Sequence, residues 1–242
     1  FKVDTDPRKL STSVLLSDTE VVVDFLRDQF ETDRLWLVGH SHGAYLGVLY
    51  ARRYDEKVCA FVGVGQVTND GSSGPVAALQ ERFLEERREE LGLGPDVVID
   101  DSNLEDLLFK SGSELYGETS FAPLLLSGLM APEYRLSDIL KVAKGSSFSS
   151  RNMRYDMPRD LLAHEWQFNI SVAVIMGRHD MVTPTELARD YYDRIEAPLK
   201  AWYQFEGAAH FPHFEKPKRF AVTMSALKET WGDCPQMESS RS

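Results

Sequence analysis

The tightest constraint on this chain lies at residues 35 to 54, "LWLVGHSHGAYLGVLYARRY". Leu35-Trp36-Leu37-Val38 is a short continuous apolar run, the pattern of a strand buried on both faces of a parallel sheet. From about Ala44 to Tyr54 the chain reads as a helix, and between the two stands Gly39-His40-Ser41-His42-Gly43. A Gly-x-Ser-x-Gly turn between strand and helix forces its serine into a tight, strained conformation, with the hydroxyl clear of the sheet's carboxyl edge. The flanking glycines are expected to remove Cβ atoms that would collide with the facing strand and helix. The helix amino terminus lies just behind, so the backbone N–H of His42 is the expected donor to a developing oxyanion. The competing reading is a glycine-rich structural turn, which needs one glycine at most.

Further along, "VCAFVGV" (58 to 64), "SVAVIMG" (171 to 177) and "KAWYQFE" (200 to 206) read as three more strands. Before the first strand, Ser17 to Glu20 has capping-box spacing, and Val22, Leu26 and Phe30 repeat every four residues as one apolar helix face. A helix is expected after Thr183, with Pro184 at its first position, Glu186 completing a second capping box, and Leu187, Tyr191 and Ile195 sharing a face. "KPKRFAVTMSALKETW" is the last helix. About a hundred residues between the second and third strands differ in character. "PVAALQERFLEERREELG", "NLEDLLFKSGSELYG" and "YRLSDILKVAKG" all read as helices. The expected organisation is an α/β core of residues 1–67 and 170–231, a helical lid of residues 68–169 and a disordered tail of residues 232–242.

A serine hydroxyl needs a base to take its proton, and the base needs an acid to orient it. In a nucleophile-elbow fold these follow in the order serine, acid, histidine. Asp180 sits in "GRHD" after the third strand and His210 in "GAAH" after the fourth. Ser41, Asp180 and His210 therefore fall on one edge of the sheet and are the expected catalytic residues. His213 is the alternative base. His179 reads as a loop residue, His164 as structural, and Asp190 and Asp193 as solvated helix face. A turn aspartate is the bland reading of Asp180. The six histidines lack a supporting carboxylate or cysteine cluster, so neither a metal nor another cofactor is expected.

A net charge of −11 argues against nucleic acid and anionic membrane surfaces as partners. No apolar run reaches membrane-span length. Cys59 and Cys234 are expected to stay as thiols, which suits a reducing compartment and a cytoplasmic location.

The quoted elbow, "GVGQV" (63 to 67), "IMGRHDMVTPTELARDYYDRIEAP" and "EGAAHFPHFEKPKRF" resemble the α/β-hydrolase superfamily, in particular its lidded branch of prolyl aminopeptidases (proline iminopeptidases). The resemblance implies the same trio: Ser41 as nucleophile, Asp180 as orienting acid, His210 as base. It implies no cofactor and a small-molecule or short-peptide substrate. His42 departs from the branch, which usually carries tryptophan or another bulky residue there. The family's N-terminal strands, and the His-Gly loop that gives the other oxyanion N–H, are missing, so the sequence reads as a fragment of a longer protein or a truncated gene product. The expected reaction is cleavage of an amide at a peptide N-terminus, which would need a lid carboxylate for the α-ammonium, such as Glu114, Glu118 or Glu133. The alternatives are a carboxylesterase for small hydrophobic esters, with "FAPLLLSGLM" (121 to 130) as a possible pocket lining, and a non-catalytic ligand-binding protein of the same fold.

Overall fold

A computed structural model describes residues 6, 10–69, 74–100, 102–120, 122–130, 141, 144–145, 147–149, 151–164, 166–232 and 234. The elements are α1 (Thr12–Gln29), β1 (Leu35–His40), α2 (His42–Arg53), β2 (Val58–Val64), α3 (Gly74–Glu85), α4 (Leu104–Lys110), α5 (Ala122–Met130), β3 (Ser171–Gly177), α6 (Thr185–Arg194), β4 (Lys200–Phe205), α7 (Pro212–Glu215) and α8 (Pro217–Trp231). Of the expected lid helices, "YRLSDILKVAKG" lies largely outside the described residues.

The four strands form a parallel sheet in the order β1-β2-β3-β4. β2 and β3 are central and buried on both faces: Phe61, Val62 and Val172 to Met176 are fully inaccessible, as continuous apolar runs in a parallel sheet require. On one face α1, α2 and α6 contribute Leu16, Val48, Tyr50 and Tyr191 to a core around Phe61 and Val172. On the other, Leu227, Phe220 and Trp231 of α8 close over Val62, Val64, Ala173 and Ile175. Register fixes the functional edge. His40 pairs with Val64, Val64 with Ile175 and Gly177 with Phe205, so the strands end together and all four following loops open at one rim. No helix among the described residues is long and apolar enough to cross a membrane.

Three local expectations are corrected. Ser17 is inside α1, where its hydroxyl donates to the Ser13 carbonyl; the cap is Ser11, whose Oγ accepts from the Val14 N–H. The buried side chains of α1 are Thr12, Leu16 and Val23, whereas Val22 and Phe30 are 55% and 68% exposed. The helix starts six residues early because Leu10 and Thr12 exchange backbone hydrogen bonds with Arg154, a contact that no local pattern encodes. Lastly, Cys59 and Cys234 are joined in a disulfide. Trp231 at the end of α8 stacks on Trp36 of β1 at 5.7 Å, which returns the chain to the start of neighbouring β2. The pairing removes the free-thiol argument for a reducing compartment.

Candidate active site

The β1–α2 turn holds Ser41 at φ 55°, ψ −121°. It is one of only two non-glycine described residues with positive φ, a conformation that costs on the order of 1–3 kcal/mol. The turn is tied down from both sides. Ser41 N–H donates to the Val64 carbonyl at the end of β2, and the Ser41 carbonyl accepts from Ala44 and Tyr45 as the first turn of α2. A Cβ at Gly39 would run into the backbone carbonyl of Gly43, so the strand can turn this sharply only without one. Gly43 differs from expectation: a Cβ there would meet open space. His42 is the first residue of α2, where the N–H has no intrahelical acceptor.

Asp180 and His210 come from the loops after β3 and β4 at the same rim. Asp180 is 1% exposed and His210 3%, and His210 Nδ1 lies 2.9 Å from Asp180 Oδ2. Thr183 completes the carboxylate's coordination: its N–H donates to Oδ1 and its hydroxyl to Oδ2, both at 2.8 Å. The expected capping box at Thr183 is therefore not formed. Pro184 is the residue before α6 and no side chain caps it, because the threonine is occupied by the aspartate. Sequence reading missed this residue as part of the site, although the Asp-x-x-Thr spacing is a recognisable side-chain turn.

Burial alone would depress the His210 pKa; the Asp180 charge and hydrogen bond, aided by Glu114 and Glu215, outweigh it and raise the value. The ring also packs on Gly65, whose φ of +54° leaves no room for a side chain: a Cβ there would sit 3.0 Å from the imidazole. Ser41 N–H is thus bonded to the Val64 carbonyl, and the His210 ring packs on the next residue, Gly65. Ser41 Oγ forms no hydrogen bond among the described residues, and in unliganded hydrolases this bond is commonly long.

His213 is on α7 and touches no carboxylate among the described residues; its ring packs on His40 and Phe220 at 4.6 and 5.9 Å. His40 holds the base loop from beneath, with Nε2 2.8 Å from the His210 carbonyl. Burial first, then the His210 charge, push His40 down to about 4, so its ring is neutral and Nε2–H can donate. His179 rests on Tyr116 and His164 on Trp166, Asp193 pairs with Arg189 on the exposed side of α6, and Asp190 is exposed. Among the three carboxylates considered for an α-ammonium, the Glu114 main-chain carbonyl accepts the His210 N–H at 3.0 Å and burial pushes the Glu114 carboxyl up to about 7. Glu118 is exposed, and Glu133 lies outside the described residues.

Beside Ser41 opens a cavity of about 270 Å³, lined among others by His42, Tyr45, Val67, Tyr155 and Arg159. No described residue of "FAPLLLSGLM" lines it. A model of the alpha/beta hydrolase family matches residues 4–223 of this sequence. The chain belongs to the alpha/beta hydrolase family. This hydrolase is similar to the probable aminopeptidase YbaC of Bacillus subtilis (strain 168), 26% identical over 226 residues that span 87% of this chain and 70% of that protein. Its fold is similar to that of proline iminopeptidase from Mycobacterium smegmatis, with a TM-score of 0.59 at 16% identity, covering 95% of this chain and 76% of that one. An esterase from Exiguobacterium antarcticum aligns with a TM-score of 0.56 at 16% identity, over 93% and 76% of the two chains. The expectation of this fold from the elbow and its flanking strands is met.

Proposed function

We propose that this hydrolase is a serine hydrolase in which Ser41 is the nucleophile, His210 the general base and Asp180 the orienting acid. The reading rests above all on the buried Asp180–His210 hydrogen bond, whose ring packs on Gly65, next in sequence to the Val64 carbonyl that holds the strained Ser41 elbow. In this scheme Ser41 Oγ attacks a carbonyl carbon while His210 Nε2 takes its proton. Asp180, bonded at Nδ1, keeps the proton-accepting nitrogen facing the serine and stabilises the imidazolium. The negative charge on the carbonyl oxygen is met by the His42 N–H at the start of α2. His210 then protonates the departing amine or alkoxide, and water repeats the sequence on the acyl-enzyme.

For the substrate, similarity to a probable aminopeptidase supports cleavage of an amide at a peptide N-terminus, covered by the helical segment of residues 68–169 acting as a lid. A specific observation favours the second reading, a carboxylesterase: no carboxylate is among the described residues lining the cavity beside Ser41. A proline arylamide assayed against a short-chain nitrophenyl ester separates the two.

The triad is tested by fluorophosphonate labelling. Ser41 is expected to take up the probe, and Ser41→Ala is expected to lose both labelling and, by several orders of magnitude, turnover. Wild-type turnover in Ser41→Ala would overturn the reading.

A further inference from the structure

His210 is held through its main chain as well as its ring. Its N–H donates to the Glu114 carbonyl at 3.0 Å, and its own carbonyl lies 2.8 Å from His40 Nε2. The residues on either side are gripped by one carboxylate. Glu215 Oε2 accepts the N–H of Ala209 at 2.9 Å and that of Phe211 at 3.2 Å. The other oxygen, Oε1, accepts the N–H of Tyr116 at 2.6 Å, from 99 residues away in the chain. Hydrogen bonds from backbone N–H groups to a charged carboxylate are shorter and stronger than neutral ones.

The ordinary reading of Glu215 is a brace for α7, since Phe211 is the residue before that helix and the side chain folds back on its N–H. The other two donors, Ala209 and Tyr116, lie outside α7. Ala209 immediately precedes the base, and Tyr116 belongs to a segment that touches both loops of the rim. In that segment the Ser113 carbonyl accepts the N–H of Met181, one residue beyond Asp180, at 3.4 Å. The Tyr116 ring rests on His179, one residue before Asp180, at 4.4 Å. Ser113 and Leu115 are buried. Residues 113–116 therefore bridge the acid loop and the base loop, and Glu215 ties that bridge to the base.

We propose that Glu215 is a positioning residue for the base, fixing the reach of His210 toward Ser41 by tying the base loop to residues 113–116. The proposal rests on His210 being the base. Glu215 is not among the described residues that line the cavity beside Ser41, so it acts through His210 and not on the substrate. Its charge has a second effect. Burial lowers the His210 pKa, and the Glu215 charge joins those of Asp180 and Glu114 in raising it. The other titratable groups facing that ring among the described residues are His40 of β1 and His213 of α7, both pushed down first by burial.

Glu215→Gln leaves one acceptor oxygen for three N–H donors and removes the charge. With a short-chain nitrophenyl ester it is expected to lower kcat per fluorophosphonate-labelled site by roughly tenfold to a hundredfold, the scale of a catalytic group misplaced by about 1 Å. KM is expected to change little, and the rising limb of the pH profile to move to lower pH. Counting labelled sites, with labelling run to completion, separates this from a smaller folded fraction. A wild-type kcat per labelled site, or a limb that stays in place, overturns the proposal and leaves the triad standing. If Glu215→Gln does not fold, Glu215→Asp decides. It keeps the charge but draws it back by one methylene, so kcat per labelled site is expected to fall while the limb stays, and an unchanged kcat overturns the proposal. An unlabelled wild type together with full turnover of Ser41→Ala overturns the triad as well.

Discussion

His210 feels two opposing influences on its proton. Burial favours the neutral ring, and the Asp180 carboxylate 2.9 Å away favours the charged one and prevails. A base must be unprotonated to accept from Ser41, so kcat/KM is expected to rise with pH along a limb centred above 6.5, the ordinary histidine value. Asp180→Asn is expected to shift that limb to lower pH and to reduce kcat by roughly 10⁴-fold, as the tautomer is no longer fixed. A pH profile with an aryl ester checks both; a wild-type limb below 6.5 would count against the pairing. The stability linkage runs in the opposite direction with pH: because the folded pKa is raised, the ion pair stabilises the fold below the unfolded value and is lost as pH rises through the folded one. His210 could be named from its place after the fourth strand. Thr183 could not be ranked as part of the site, because the same threonine reads equally well as a helix cap until Asp180 is placed beside it. Glu215 had no signal at all, since nothing in "HFEKP" says which backbone N–H groups its carboxylate will gather.

The elbow joining β1 to α2 separates two glycines that look equivalent in Gly-x-Ser-x-Gly. The missing Cβ of Gly39 is what lets the Gly43 carbonyl pass; at Gly43 the space is open. Gly39→Ala is expected to destabilise the protein by about 2 kcal/mol or more, since rigid backbone must move. Gly43→Ala is expected to be neutral or to stabilise by up to ~1 kcal/mol through helix propensity. Urea unfolding of the two variants measures the contrast, and equal costs would refute it. The central strands were legible residue for residue, because β2 and β3 are buried on both faces and their apolar runs are uninterrupted. Helix α1 was legible as a helix but not in its cap or its buried face. Val22, Leu26 and Phe30 form a regular stripe, yet α2 packs on the side that carries Leu16 and Val23. Periodicity shows that a helix has a face; a neighbour decides which face is used.

Across the whole molecule, α8 crosses one side of the sheet and brings Cys234 to Cys59, 175 residues earlier. A crosslink closing so long a loop restricts the unfolded chain, so Cys234→Ser, or reduction of the wild type, is expected to lower stability by about 2–4 kcal/mol. Thermal melts with and without reductant test this: the wild type should lose stability on reduction while Cys234→Ser should not respond. Cysteine counting failed here because two isolated thiols in an acidic chain carry no pairing signal; the meeting depends on Trp231 stacking over Trp36. The alignment of strand ends has the opposite character. Once four parallel strands are granted, the register that pairs His40 with Val64 and Val64 with Ile175 sends the elbow, the acid loop and the base loop to one rim.

The amino-acid order alone specified the parallel strands, the elbow with its serine, and the candidate acid and base, because each is a local pattern whose chemistry is tied to position along a strand or turn. Packing specified the rest: the threonine that braces Asp180, the histidine beneath the base loop, the disulfide, and the side chains that line the cavity beside Ser41. Packing alone brings such groups together, and a linear pattern has no term for it.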